Sequence, residues 1–140
     1  MSESKAGAGG CLCGAVQFNA AEVVQHVGSC HCGMCVKWSG PWLAVDCGSD
    51  VSFSAEDAIT RYDSSDWAER GFCKHCGTHL FYHLKAADRY MMPPGLFDDQ
   101  SDFSFSHQIF IDKKPDYYAF ANDTDNLTEA EVFERSASAD

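Results

Sequence analysis

"CKHCGTHLFYHL", residues 73–84, carries two patterns back to back. Cys73 and Cys76 have the spacing of a metal knuckle, a turn in which both sulfurs face one ion. Gly77 directly behind them suits such a turn, because glycine enters positive φ at no steric cost. The continuation "THLFYHL" is aromatic-rich and alternates, which predicts a strand. Two sulfurs make half of a closed tetrahedral site, so the remaining ligands must come from elsewhere in the chain. Cys11 and Cys13 are the economical choice. In an extended strand residues i and i+2 share a face, and Cys11-x-Cys13 can offer both sulfurs to one ion, with Gly14 directly after them. A four-cysteine site from Cys11, Cys13, Cys73 and Cys76 ties the N-terminal strand to the middle of the chain. It closes a long loop and stabilises the fold directly.

Three more cysteines crowd into "CHCGMC", residues 30–35. Cys30, Cys32 and Cys35 are poorly placed for disulfides, since Cys-x-Cys bridges form a small strained ring. With the four above they bring the ligand count to seven, where two closed sites would need eight. The partition therefore leaves Cys30, Cys32 and Cys35 on a second zinc with one exchangeable position, the pattern of a catalytic rather than a structural ion. Three thiolates are soft ligands and favour sulfur in the vacancy, and an incoming thiol would bind as its thiolate. Thiol chemistry fits this site better than water activation. Cys47, the eighth cysteine, reads as a small buried hydrophobe, although it could close the second site and make it inert. His31 lies between two ligands and points away from them. His79 and His83 share one face of their strand and read as hydrogen-bonded strand histidines, with ligand or proton-shuttle roles as the alternative. His75 sits in the knuckle turn, and His26 and His107 have no evident partner.

The chain has 140 residues, 45% of them hydrophobic, which suits one globular domain. A net charge of −11 argues against non-specific binding to nucleic acid or to an anionic membrane. "MSESKAGAGG" has no apolar segment of a signal peptide, and no run approaches the roughly 20 apolar residues of a membrane span. Clustered thiols in such a chain point to metal binding in the reducing cytoplasm. Residues 1–9 and 135–140 are small and polar and read as flexible tails around a single domain over 10–134. Short strands are predicted in "GAVQFNA", "WLAVDCG", "VSFSA", "HQIFID" and "YYAFAN", giving a mainly β fold. Helix is expected only at the end, about two turns long, where Thr128 and Glu131 have capping-box spacing.

The stretches "GGCLCGAVQF", "CHCGMCVKWSG", "RGFCKHCGTHLFY", "GLFDD" and "QIFIDKKPDYYAF" run in an order that resembles the glutathione-dependent formaldehyde-activating enzyme family, related to centromere protein V. The resemblance covers about Gly9 to Glu134. It implies a β-tent type fold of short antiparallel strands with zinc-binding hairpins and two zinc ions. Cys11, Cys13, Cys73 and Cys76 match its structural site, and Cys30, Cys32 and Cys35 its catalytic one. It implies a carbon–sulfur lyase, with glutathione as the thiol and formaldehyde as the aldehyde, giving S-(hydroxymethyl)glutathione. Gly33 replaces the more usual serine of the triad, and "VKWSG" has one basic residue where two are common, departures that bear on substrate. The rival readings are a non-catalytic thiol or aldehyde binder on the same open zinc, and an interaction module like the centromeric relatives. The latter fits an acidic chain poorly. Lys37, Arg70 and Lys74 are the candidate cations for an anionic thiol, and Trp38 and Trp42 the candidate pocket walls.

Overall fold

The computed structural model describes residues 4–138, with side chains to residue 135. The chain forms two compact units, one built from the chain up to Gln25 and Ala44–Phe103, the other from His26–Leu43 and the chain from Ser104 on.

In the first unit, β1 (Ser4–Gly10), β2 (Gln17–Val24) and β5 (Val51–Phe53) form an antiparallel sheet in the order β1-β2-β5. A longer antiparallel series follows: β4 (Trp42–Asp46, joining from Ala44), β9 (Arg89–Met92), β8 (His79–Leu84), β7 (Ala68–Cys73) and the edge strand β6 (Ile59–Asp63). Between them lies an aromatic core. Phe18 meets Phe97 edge-on at 5.0 Å, and Phe81 meets Phe53 at 5.4 Å and Tyr90 at 5.2 Å. Val16, Val23, Val45, Leu80 and Met92 fill the gaps.

The second unit holds three parallel strands, β3 (His26–Cys30), β10 (Ser104–Ile109) and β11 (Asp125–Leu127), with β10 in the middle. Two helices belong to it, α1 (Gly33–Ser39) and α2 (Glu129–Ser138). The capping box of α2 is formed in both directions. The Thr128 amide donates to Glu131 Oε1 at 2.8 Å, and the Glu131 amide to Thr128 Oγ1 at 3.2 Å.

Four details depart from the sequence-based expectations. Residues 4–9, expected in a tail, form most of β1. Their small side chains are what allows it: a Cβ on Gly9 would lie 2.0 Å from the Leu96 carbonyl oxygen, so only glycine permits the bridge to Phe97. The C-terminal helix is ten residues long and runs through part of the other expected tail, with residues 139–140 outside the described residues. A helix also forms at Gly33–Ser39. Residues 117–122, expected as a strand, are irregular, because Tyr118 and Phe120 turn their rings onto His31 rather than alternate in a ladder.

Gly71 lies opposite Phe81 in the β7–β8 pair, and a Cβ there would come 2.2 Å from Phe81 Cζ. Phe81 is fully buried and cannot yield. Gly71→Ala is therefore expected to cost about 1–3 kcal/mol by overpacking. Thermal unfolding should show a Tm several degrees lower, and an unchanged Tm would contradict this packing.

Candidate metal centres

The first centre is built by two turns of the first unit. Cys11 follows β1, and the loop to β2 folds back so that the Cys11 amide donates to Val16 O at 2.9 Å and the Gly14 amide to Cys11 O at 3.1 Å. Cys11 and Cys13 therefore share a turn rather than a strand face. Cys73 ends β7, and the knuckle closes with the Gly77 amide on Cys73 O at 2.8 Å and the Cys73 amide on Thr78 O at 2.9 Å, Gly77 at φ 77°. All four sulfurs lie within 4.8 Å of one another. Cys11 and Cys13 Sγ are 3.7 Å apart, and Cys13 and Cys73 Sγ 3.8 Å. Sulfurs placed about 2.3 Å from a zinc at tetrahedral corners are about 3.8 Å apart. The donor set thus fits a tetrahedral ion.

Donors also reach the sulfurs. The Val16 amide donates to Cys11 Sγ at 3.3 Å. Thr78 Oγ1 is 3.1 Å from Cys76 Sγ and accepts from the Leu12 amide at 3.1 Å. The hydroxyl and amide of Thr78 pull the Cys76 thiol down to about 5.

The second centre lies in the second unit, where β3 meets α1. Cys30 ends β3 opposite Ile109 of β10, and the His31 amide donates to Ile109 O at 3.1 Å. Cys32 is the N-cap of α1, its sulfur accepting from the Cys35 amide at 3.4 Å. Cys35, in the first helical turn, is buried. The three sulfurs lie within 4.8 Å of one another, and no fourth Cys, His, Asp or Glu joins them among the described residues. The neighbouring thiols Cys32 and Cys35 drive Cys30 far up, whereas thiols and backbone amides drive Cys32 down. Holding three thiolates together requires a cation, so this donor set also fits a soft metal ion.

His31, between two of these cysteines, is fully buried and turned away from them. Its Nε2 is 2.7 Å from Gln108 Oε1, and Gln108 Nε2 donates to Thr124 Oγ1 at 2.8 Å. Burial, the largest influence, lowers the His31 pKa and keeps the ring neutral. Nε2 therefore donates to Gln108, and Nδ1 accepts from the Tyr118 hydroxyl at 2.8 Å. Lys114 secures the Tyr118 turn by donating to the carbonyls of Pro115 and Tyr118. No role for Gln108, Lys114, Tyr118 or Thr124 was legible in the sequence, although the first three lie in the quoted "QIFIDKKPDYYAF", since those roles arise only from where β10 and the 114–124 segment pass. Replacing His31 by Leu would orphan the buried Gln108 carbonyl. The expected cost is about 1–3 kcal/mol, read as a lower urea midpoint at an unchanged m-value.

The remaining candidates fall elsewhere. Cys47 is buried in neither centre, its thiol 3.7 Å from Val45 O and pushed up to about 12 by burial. His83 bridges Glu69 at 2.9 Å and Asp88 at 2.8 Å and stacks on Tyr90. Burial and Arg70 lower His79, and His75 is exposed on the knuckle. The His107 ring crosses Gly28 beside His26 in the second unit. Arg70, buried over the Tyr82 ring, and exposed Lys74 belong to the first unit. Lys37 is exposed on α1, and Trp38 and Trp42 pack at 5.6 Å. Among the described residues no helix is long and apolar enough to cross a membrane.

A family model described as glutathione-dependent formaldehyde-activating enzyme matches residues 6–113, including all seven clustered cysteines. An uncharacterised lyase of Schizosaccharomyces pombe is 38% identical over 126 residues, spanning 89% of this chain and 92% of that protein. A crystal structure of a Rhodobacter sphaeroides protein shares the fold, with a TM-score of 0.56 and 21% identity over 65% of this chain and 87% of the other.

Proposed function

Since the chain belongs to the glutathione-dependent formaldehyde-activating enzyme family, we propose that it is a zinc-dependent carbon–sulfur lyase acting on a thiol adduct. The reaction joins glutathione to formaldehyde as S-(hydroxymethyl)glutathione, or reverses that step. The observation that carries the reading is the three-sulfur group of Cys30, Cys32 and Cys35, which among the described residues ends one ligand short of a closed tetrahedron. The Schizosaccharomyces pombe relative is named a lyase, which agrees with it.

Cys11, Cys13, Cys73 and Cys76 would hold a structural zinc, and Cys30, Cys32 and Cys35 the catalytic one. A zinc ion on three thiolates supplies a soft position that takes a thiol as its thiolate. The protein fixes the geometry around it. β3 and the α1 N-cap set the directions of Cys30 and Cys32. His31 locks the backbone between them to Gln108 and Tyr118 and leaves its own nitrogens occupied, so it does not add a fourth ligand. Eight free thiols suit a reducing, cytoplasmic setting.

The test is exchange NMR with 13C-formaldehyde and glutathione. The zinc-loaded protein should accelerate interconversion of free and adduct formaldehyde above the buffer rate. Glutathione binding without any acceleration would instead support a non-catalytic binder.

A further inference from the structure

We propose that Thr78 is the positioning residue of the four-cysteine centre, its one hydroxyl fastening the Cys11–Cys13 turn to the Cys73–Cys76 knuckle. This rests on the reading of that centre as a metal site. The hydrogen-bond roles are fixed by chemistry. The Leu12 amide can only donate, so Thr78 Oγ1 accepts from it at 3.1 Å. A metal-bound thiolate can only accept, so the single hydroxyl proton goes to Cys76 Sγ at 3.1 Å. The result is a continuous chain from amide to hydroxyl to sulfur that joins segments 66 residues apart. It holds the tip of the first turn through the backbone alone, because the Leu12 side chain is 89% exposed.

The hydroxyl is not needed for the hairpin. The knuckle and the start of β8 are closed by the Cys73 amide on Thr78 O and the Gly77 amide on Cys73 O. Thr78→Val keeps those bonds and the branched shape and removes only the link. Thr78→Ser keeps the link. Partners that orient metal ligands in this way typically govern metal retention by 10–100-fold.

The zinc-loaded full chain would be challenged with excess chelator, and release from the four-cysteine centre followed in wild type, Thr78→Val, Thr78→Ser and Leu12→Ala. Thr78→Val should release that metal at least about tenfold faster. Thr78→Ser should stay within about twofold of wild type, and Leu12→Ala should match wild type. Release from Thr78→Val at the wild-type rate overturns the proposal. A measurement on wild type guards against a variant that fails to fold. After loading with 113Cd, NMR should show a through-bond coupling between the Thr78 hydroxyl proton and the four-sulfur cadmium. Absence of that coupling also overturns the proposal. Wild type that binds no metal on Cys11, Cys13, Cys73 and Cys76 overturns the metal reading itself, before any substitution is made.

Discussion

Cys73→Ser is expected to unfold the first unit and to release its metal. Cys73 is fully buried at the end of β7, and its sulfur is 3.8 Å from that of Cys13 in the turn after β1. An ion held there would join the central strands to the β1–β2 sheet. Serine offers a weaker oxygen donor and a shorter reach, leaving three thiolates to share the charge. Structural zinc contributes on the order of 10 kcal/mol in small zinc domains, more than the whole stability of many domains. Wild-type protein should bind two zinc by elemental analysis and unfold cooperatively, whereas Cys73→Ser should lose the four-cysteine zinc and most of its circular dichroism transition. A Cys73→Ser protein with wild-type stability and full metal content would refute the partition of the cysteines.

Cys32→Ser is expected to remove function with little effect on the first unit. Cys32 caps α1 and is one of the three sulfurs of the second centre. Serine is itself a good N-cap, so α1 should persist. With cobalt in place of zinc, glutathione should strengthen the sulfur-to-metal charge-transfer band of the wild type by adding a fourth sulfur, while S-methylglutathione, lacking a thiol, should not. In Cys32→Ser the response should vanish, and formaldehyde exchange should fall to the buffer rate. Normal thiol binding in Cys32→Ser, or a four-sulfur spectrum at both metals before thiol is added, would sink the open-site mechanism. The three cysteines would then form a structural clasp.

These two substitutions probe the groups that were most legible in the sequence. The 2 + 3 + 2 spacing of the clustered cysteines showed three local clusters, because a short turn forces nearby thiols together whatever surrounds it, and the ligand count paired the first with the last across 60 residues. The capping box of α2 was equally legible, since Thr128 and Glu131 satisfy each other within four residues. Strands with alternating aromatics, such as β8, announced themselves through the same local logic.

Tertiary structure decided what local patterns could not. SKAGAGG has low β propensity and became β1 because β2 pairs with it and the Gly9 backbone meets Phe97. The Gly33–Ser39 helix lay hidden in seven residues, too short for a helical period to show. The aromatic run at 117–122 reads as a strand in isolation, yet Tyr118 satisfies its hydroxyl on His31 and Phe120 packs on Phe105. The roles of His31, Gln108 and Thr78 stayed illegible for the same reason. Each depends on a partner 66 to 87 residues away, and a buried or half-buried polar atom finds its partner only once the chain has closed on itself. The sequence by itself determined which atoms can hold metal, because ligand chemistry and short spacings are local. How those atoms are held, and by which hydrogen bonds, was decided by long-range packing.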